Sequence, residues 1–231
     1  MMPSIILGYL FFFGVILVYH RHLCHCAYRI NRFPRFFLLF LTSMALQGPP
    51  RWWATTHLIH HKTCDKMEDP HSPLRGKTYS FLLWLVDKRN YDINWDFKNS
   101  YITIYKRTQN IEYDWLEKYY MHTVSTVAFI LYYSFGTTPL IVWFSGSCIG
   151  RINVSLVNTF CHEAGKKEDG NCKATNNVYM WPILLGANWH KNHHDQPNLV
   201  NLQKKWYQVD VHFLVYTIFR CFGICRSKKD R

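Results

Sequence analysis

Two long stretches of this sequence lack charge altogether. No Asp, Glu, Lys or Arg occurs in residues 1–19, and none occurs from Tyr119 to Gly150. Runs of that length exclude an ordinary soluble surface and place the chain in the membrane class. No basic segment precedes the first run and no small-residue cleavage site closes it before His20, so a signal peptide is not expected. The eight cysteines lack the spacing of a secreted disulfide framework, and reduced thiols are the expected state. Internal repeats and low-complexity segments are absent too, and residues 1–231 read as a single domain. Acidic side chains are scarce, 15 against 27 basic ones, for a net charge of +12. No helix interleaves this positive charge with base-reading side chains, so nucleic acid is not an expected partner. Basic loops on the cytoplasmic side of a membrane account for the charge more simply.

Histidine is what the chain has in excess. Thirteen are present, most of them in three clusters: His20-Arg-His-Leu-Cys-His25, His57-Leu-Ile-His60-His61 and His190-Lys-Asn-His193-His194. On a helix, positions i, i+3 and i+4 share a face, so each His-x-x-His-His box aims three imidazoles one way. Asn158 and His162, four apart, share a face as well. His20 and His25 are five apart, roughly 140° on an ideal α-helix, which suits a helix end entering a metal site from one side. Neutral imidazole is a common metal ligand. Eight box histidines plus His162 are more than one four-coordinate zinc takes, so the nine nitrogens point to two metals. A nitrogen donor set with room for oxygen suits iron, whereas magnesium and calcium want oxygen ligands. Cys24 and Cys26 within the first cluster leave a mixed Cys/His zinc site as the alternative there.

The charge-free N-terminal run reads as a membrane helix whose far end brings His20 and His25 to the water interface. Arg21, Arg29, Arg32 and Arg35 follow and mark that end as cytoplasmic. Residues 36–50 are apolar but too short to span, and read as an interfacial or re-entrant helix. Residues 51–65 read as the helix of the second box, with Trp52 and Trp53 at headgroup level. Ser80–Val86 is a further short apolar patch. Gly136-Thr-Thr-Pro139 breaks the second charge-free run into two spans, 119–135 and 138–163. The second of these delivers Asn158 and His162, polar groups that in lipid read as functional. Residues 163–177 form a charged loop, residues 203–225 an interfacial tail, and Lys228-Lys229-Asp230-Arg231 reads either as an endoplasmic-reticulum retrieval signal or as a solvated basic end.

The order His-x4-His, His-x2-His-His, Asn-x3-His, His-x2-His-His resembles the membrane fatty acid desaturases, above all the Δ9 acyl-CoA (stearoyl-CoA) type. Ser43-Met-Ala-Leu-Gln-Gly-Pro-Pro50, Trp52-Trp53-Ala-Thr-Thr-His57, Glu68-Asp-Pro-His-Ser-Pro73, Asn188-Trp-His-Lys-Asn-His-His194 and Lys205-Trp206 with Asp210 carry the likeness over residues 16–224. The resemblance implies an all-α integral membrane protein: a stem of three to four transmembrane helices under a cytosolic helical cap that holds a histidine-rich di-iron site. It implies an oxidoreductase that uses O2 and two electrons to place a cis double bond, of Δ9 position, in a saturated acyl chain. A related di-iron hydroxylase and an inactive truncated homologue are the alternatives.

Carried over residue by residue, one iron takes His20, His25, His61 and His194, with Asn158 reaching it through water. The other takes His57, His60, His162, His190 and His193. His22, Asp69 and His71 fall behind these ligands, with an isolated surface position as the other reading of His71. Gly8 and Phe12 are expected to line the acyl tunnel. The implied partners are an acyl-CoA or acyl-lipid substrate, the membrane of the endoplasmic reticulum, and a separate electron donor of cytochrome b5 or ferredoxin type with its reductase. No cytochrome b5 segment is recognisable. The family's first transmembrane helix is expected to be missing, and Ala187-Asn188 stands where many relatives carry Gly-Glu.

Overall fold

The computed structural model describes residues 1–90, 95–162 and 172–228. The N-terminal apolar run forms one continuous rod: α1 (Met2–Gly14) passes without a break into a π-helix, Val15–Cys24. Pro3 falls in the first turn, where a missing N–H costs nothing. The rod packs against α7 (Thr137–Phe160), and small residues set how closely. A Cβ added at Gly8 would lie 2.5 Å from Ile149 Cγ2, and one at Gly150 would lie 3.2 Å from Phe11 Cβ. Gly146 and Gly150, four apart on α7, thus make the small-residue seam that lets membrane helices approach.

Met2–Cys24 and Thr137–Phe160 are both long and apolar enough to cross a membrane, with mean hydropathies of 2.1 and 1.5. Residues 119–135, read from the sequence as a further span, are the distal part of α6 (Ile111–Phe135). That helix breaks at Tyr119, where φ is −115° and ψ 21°. Its first turns carry Glu112, Asp114, Glu117 and Lys118, and it does not join the other two as a candidate span. Gly136, at φ +79°, then turns the chain into α7, a conformation glycine adopts freely.

The remaining elements gather around the ends of the rod and α7. Helix α2 (Arg32–Ser43) leads through a turn into α3 (Pro50–Thr63), the helix of the second box. Shorter helices follow: α4 (Lys77–Phe81), α5 (Trp95–Arg107), α8 (Trp181–Leu184), α9 (His190–Asp195) and α10 (Val211–Cys221). Val15, Leu17, Val18, Leu23, Leu39, Trp53, Ala54 and Trp143 form the buried core between the rod, α2, α3 and α7.

Two expectations are corrected here. The chain is not purely helical: β1 (Tyr28–Ile30) pairs antiparallel with β2 (Cys225–Ser227), so the tail folds back onto the end of the first box. Arg21 is only 1% exposed and pairs with buried Asp210 at 3.0 Å. The thiols are not all free, because Cys64 and Cys172 form a disulfide between the end of α3 and the approach to α9. Most of the charged loop 163–177 and Lys229 to Arg231 of the basic end lie outside the described residues.

Candidate metal centre

Three helical segments and one helix end deliver the histidines. In the π-helix the backbone bonds i to i+5, and the N–H of His25 donates to the carbonyl of His20 at 3.0 Å. Residues five apart therefore lie nearer one face than in an α-helix, and the rings of His20 and His25 meet edge to face with centroids 4.7 Å apart. In α3, His57 and His61 lie one turn apart, as do His190 and His194 in α9. His162 follows the last turn of α7.

The ligand nitrogens fall into two groups, each with all its atoms within 4.8 Å of one another. The first holds His20, His25, His57, His61 and His193; the second holds His60, His162, His190 and His194. This division corrects the one carried over from the resemblance: His57 and His193 move to the first group, and His194 moves to the second. The reason is helical geometry. Residues i and i+4 of a box point at one centre, and the residue between them, His60 or His193, points at the other.

The donor set fits a transition metal. In the first group Nε2 atoms stand 2.9 Å apart for His20 and His193, and 3.0 Å for both His25–His57 and His61–His193. In the second the spacings are 2.9 Å for His162–His190 and 3.2 Å for His60–His194. Nitrogens bonded at about 2.1 Å to one octahedral centre would sit about 3.0 Å from each other. Hydrogen bonding does not account for such a cluster, because each Nε2 carries either a proton or a lone pair. Burial first, and the neighbouring rings second, push the imidazoles of His57, His60, His190, His193 and His194 well below their ordinary range. His61 is pushed down to about 3 by the same burial. The rings are thus neutral at pH 7, the form that ligates.

Carboxylates orient two of them. Asp69 accepts from His60 Nδ1 at 2.9 Å, and Asp65 accepts from His162 Nδ1 at 3.0 Å. A proton held at Nδ1 leaves Nε2 bare and aimed at the centre. Burial alone would raise the Asp65 carboxyl. The hydrogen bond from His162 and the one from the Lys173 amide outweigh it and hold the carboxyl below its usual range. Asp65 was not singled out from the sequence, although it stands four residues beyond the second box. Trp53 stacks on His57 with ring centroids 5.1 Å apart, which further fixes that ring.

The other expected residues are placed as follows. His71 packs its ring 4.3 Å from that of His60 and its amide donates to Asp69. His22 lies apart from both groups, its Nδ1 3.1 Å from the carbonyl of Tyr28. Asn158 is buried and faces a cavity of about 30 Å³ whose wall includes His20, His57, His190 and His193, so members of both groups meet there. Ile16, Val154, Val157, Ala187 and Leu202 make the rest of that wall largely apolar. Gly8 and Phe12 do not line it. Gly8 is spent on the contact with Ile149, and Phe12 is fully buried against His212, ring centroids 5.4 Å apart. The mixed Cys/His alternative at the first box is not supported, since neither Cys24 nor Cys26 joins a cluster of possible ligands among the described residues and Cys24 approaches the carbonyl of Ala54 instead.

Comparison with known proteins gives the same direction. The family model for fatty acid desaturases matches residues 1–210. The chain is 32% identical over 228 residues to an acyl-CoA 5-desaturase of Anemone leveillei, covering 94% of this chain and 67% of that one. It is 28% identical to Delta-9 acyl-lipid desaturase 1 of Arabidopsis thaliana, covering 94% and 70%. It is 30% identical to the chloroplastic palmitoyl-monogalactosyldiacylglycerol delta-7 desaturase of Arabidopsis thaliana, covering 94% and 58%. With two convergent sets of imidazoles beside an apolar cavity, and a family match over most of its length, this chain belongs to the fatty acid desaturase family.

Proposed function

We propose that the chain is a di-iron, O2-dependent acyl desaturase that places a cis double bond at the Δ9 position. The observation that carries this reading is the gathering of nine imidazoles into two groups, members of both of which, His20, His57, His190 and His193, line one small, mostly apolar cavity. Iron with dioxygen supplies the oxidising power that side chains lack for attack on an unactivated methylene. Overall, one O2, two electrons and two protons take two hydrogens from adjacent methylenes and leave a double bond and two waters. The electrons come from a separate cytochrome b5 or ferredoxin type donor.

The chain's own residues do the positioning. His20, His25, His57, His61 and His193 would hold one iron, and His60, His162, His190 and His194 would hold the other. Asp65 and Asp69 keep two of the rings in their ligating tautomer. Asn158 presents its amide to the cavity, whose volume of about 30 Å³ has room for a water. Ile16, Val154, Val157 and Leu202 offer the apolar wall that methylenes need, since a hydrocarbon has no polar handle. Relatives are named for positions 5, 7 and 9, so family membership by itself does not fix the double-bond position.

This arrangement suits an integral membrane enzyme of the endoplasmic reticulum, with several spans and the histidines on the cytosolic side. Expression in yeast lacking its own Δ9 desaturase, with double-bond mapping of the lipids, tests the proposal. Growth without added unsaturated fatty acid and a Δ9 product are expected. His60→Ala and His193→Ala are expected to abolish product while the protein stays in the membrane. A hydroxylated product, or full activity in both variants, would overturn the assignment.

A further inference from the structure

The ribbon of β1 and β2 carries a charge conflict that no carboxylate among the described residues resolves. Its register sets Arg29 directly opposite Arg226, and both side chains are exposed on the same face. Like charges at a cross-strand pair repel and weaken the ribbon. The two arginines open onto a cavity of about 730 Å³ that is also lined by Arg32, Arg35, Arg107 and Lys228. Arg35 is held by Glu112 at 2.5 Å, and Arg107 is held by the carbonyl of Cys24 at 2.6 Å. Arg29, Arg32, Arg226 and Lys228 have no carboxylate partner among the described residues. Two tied arginines thus stand beside four cations with no carboxylate partner among the described residues, an arrangement that favours an anion.

A second feature says what kind of anion. The cavity shares Arg32 with a groove of about 300 Å³ lined by Phe33, Phe36, Ile111 and Glu112. Phe33 is 76% exposed and Ile111 75%, and Phe37 and Leu41 continue the apolar stripe along α2 at helical spacing. Guanidinium groups at one end and an exposed aromatic stripe at the other match a molecule with an anionic head and a hydrocarbon tail. None of the nine convergent histidines lines the cavity, so the tail of such a molecule would run along α2, away from the metal centre.

We propose that the β1–β2 ribbon and the start of α2 form a binding site for an anionic glycerophospholipid. Its phosphate sits between Arg29, Arg226 and Arg32, and an acyl chain lies along Phe33, Phe36 and Phe37. The lipid supplies the counter-charge that the ribbon lacks and fastens the tail to the end of the first histidine box. The site acts independently of the proposed reaction.

The test uses the full chain in nanodiscs of phosphatidylcholine alone or of phosphatidylcholine with phosphatidylserine. The melting temperature is measured in both, and lipid retained after detergent extraction is read by native mass spectrometry. Wild-type protein is expected to melt higher with phosphatidylserine and to retain it. Arg29→Gln/Arg226→Gln is expected to lose both effects while melting no lower than wild type in phosphatidylcholine alone, because the substitution removes a repulsion. Lys66→Gln/Lys98→Gln, which removes the same charge from exposed positions elsewhere, is expected to behave as wild type. Inorganic phosphate is expected to leave the melting temperature unchanged. Equal melting in the two lipids, retention by the arginine variant, or the same loss in the lysine variant would overturn the proposal. So would equal stabilisation by inorganic phosphate or by an acidic soluble protein in place of the lipid.

Discussion

At the scale of single residues, the carboxylates behind the histidines carry as much of the design as the histidines. Asp65 and Asp69 each fix one imidazole through Nδ1, and each is itself buried. Such partners raise ligand basicity and hold the ring's aim. Asp65→Asn and Asp69→Asn are therefore expected to weaken metal binding by roughly 10–100-fold with the fold intact, as measured by competition with a chelator. Unchanged affinity would show that the carboxylates only pack. The six histidines of the two His-x-x-His-His boxes were legible from their i, i+3 and i+4 spacing, but that spacing suggested that each box aims all three rings one way, and the structure divides each box between the two groups. Asp65 was not legible, because a lone carboxylate after a helix has no spacing to mark it. Arg21 was legible only as a positive charge; its burial against Asp210 depends on chain from the far end of the sequence.

Among the elements, the π-helix is the one that sequence periodicity misleads about. An α-helix would have splayed His20 from His25, and the wider turn brings their rings to 4.7 Å, edge to face. The same lesson applies to the division of ligands: the boxes announce their members, but the centre each member serves follows from helix direction and from how α3 and α9 meet. The charge-free runs did disclose the rod and α7. The two three-residue strands are too short to carry a pattern, and their pairing joins positions nearly two hundred residues apart. Between the rod and α7 the contact at Gly8 is already closed. Gly8→Leu is expected to overpack this seam and cost about 1–3 kcal/mol, seen as a lower melting temperature. The chain length of the product is expected to stay the same, whereas a shifted chain length would restore Gly8 to the acyl tunnel.

For the whole molecule, the pair Arg21–Asp210 ties the first helix to the tail. Asp210 Oδ2 also accepts from the amide of Leu202, and Arg21 Nη1 donates to the carbonyl of Val200 at 2.6 Å. One set of bonds thereby holds the first box, the segment after α9 and the start of α10 in register. Removing one partner leaves an unpaired buried charge, so Asp210→Ala is expected to destabilise the protein by about 3–5 kcal/mol. Arg21→Met/Asp210→Leu is expected to recover much of that loss, and equal melting of the single and double variants would contradict it.

The account as a whole rests on two separate metal positions built from the two groups of nitrogens. Metal content per chain, measured by mass spectrometry on purified full-length protein after iron-replete expression, tests this most directly. Two irons are expected in the wild type. One is expected in His57→Ala/His61→Ala, which disables only the first group, and one in His190→Ala/His194→Ala, which disables only the second. A single metal in the wild type, or two retained in either double variant, would contradict the account.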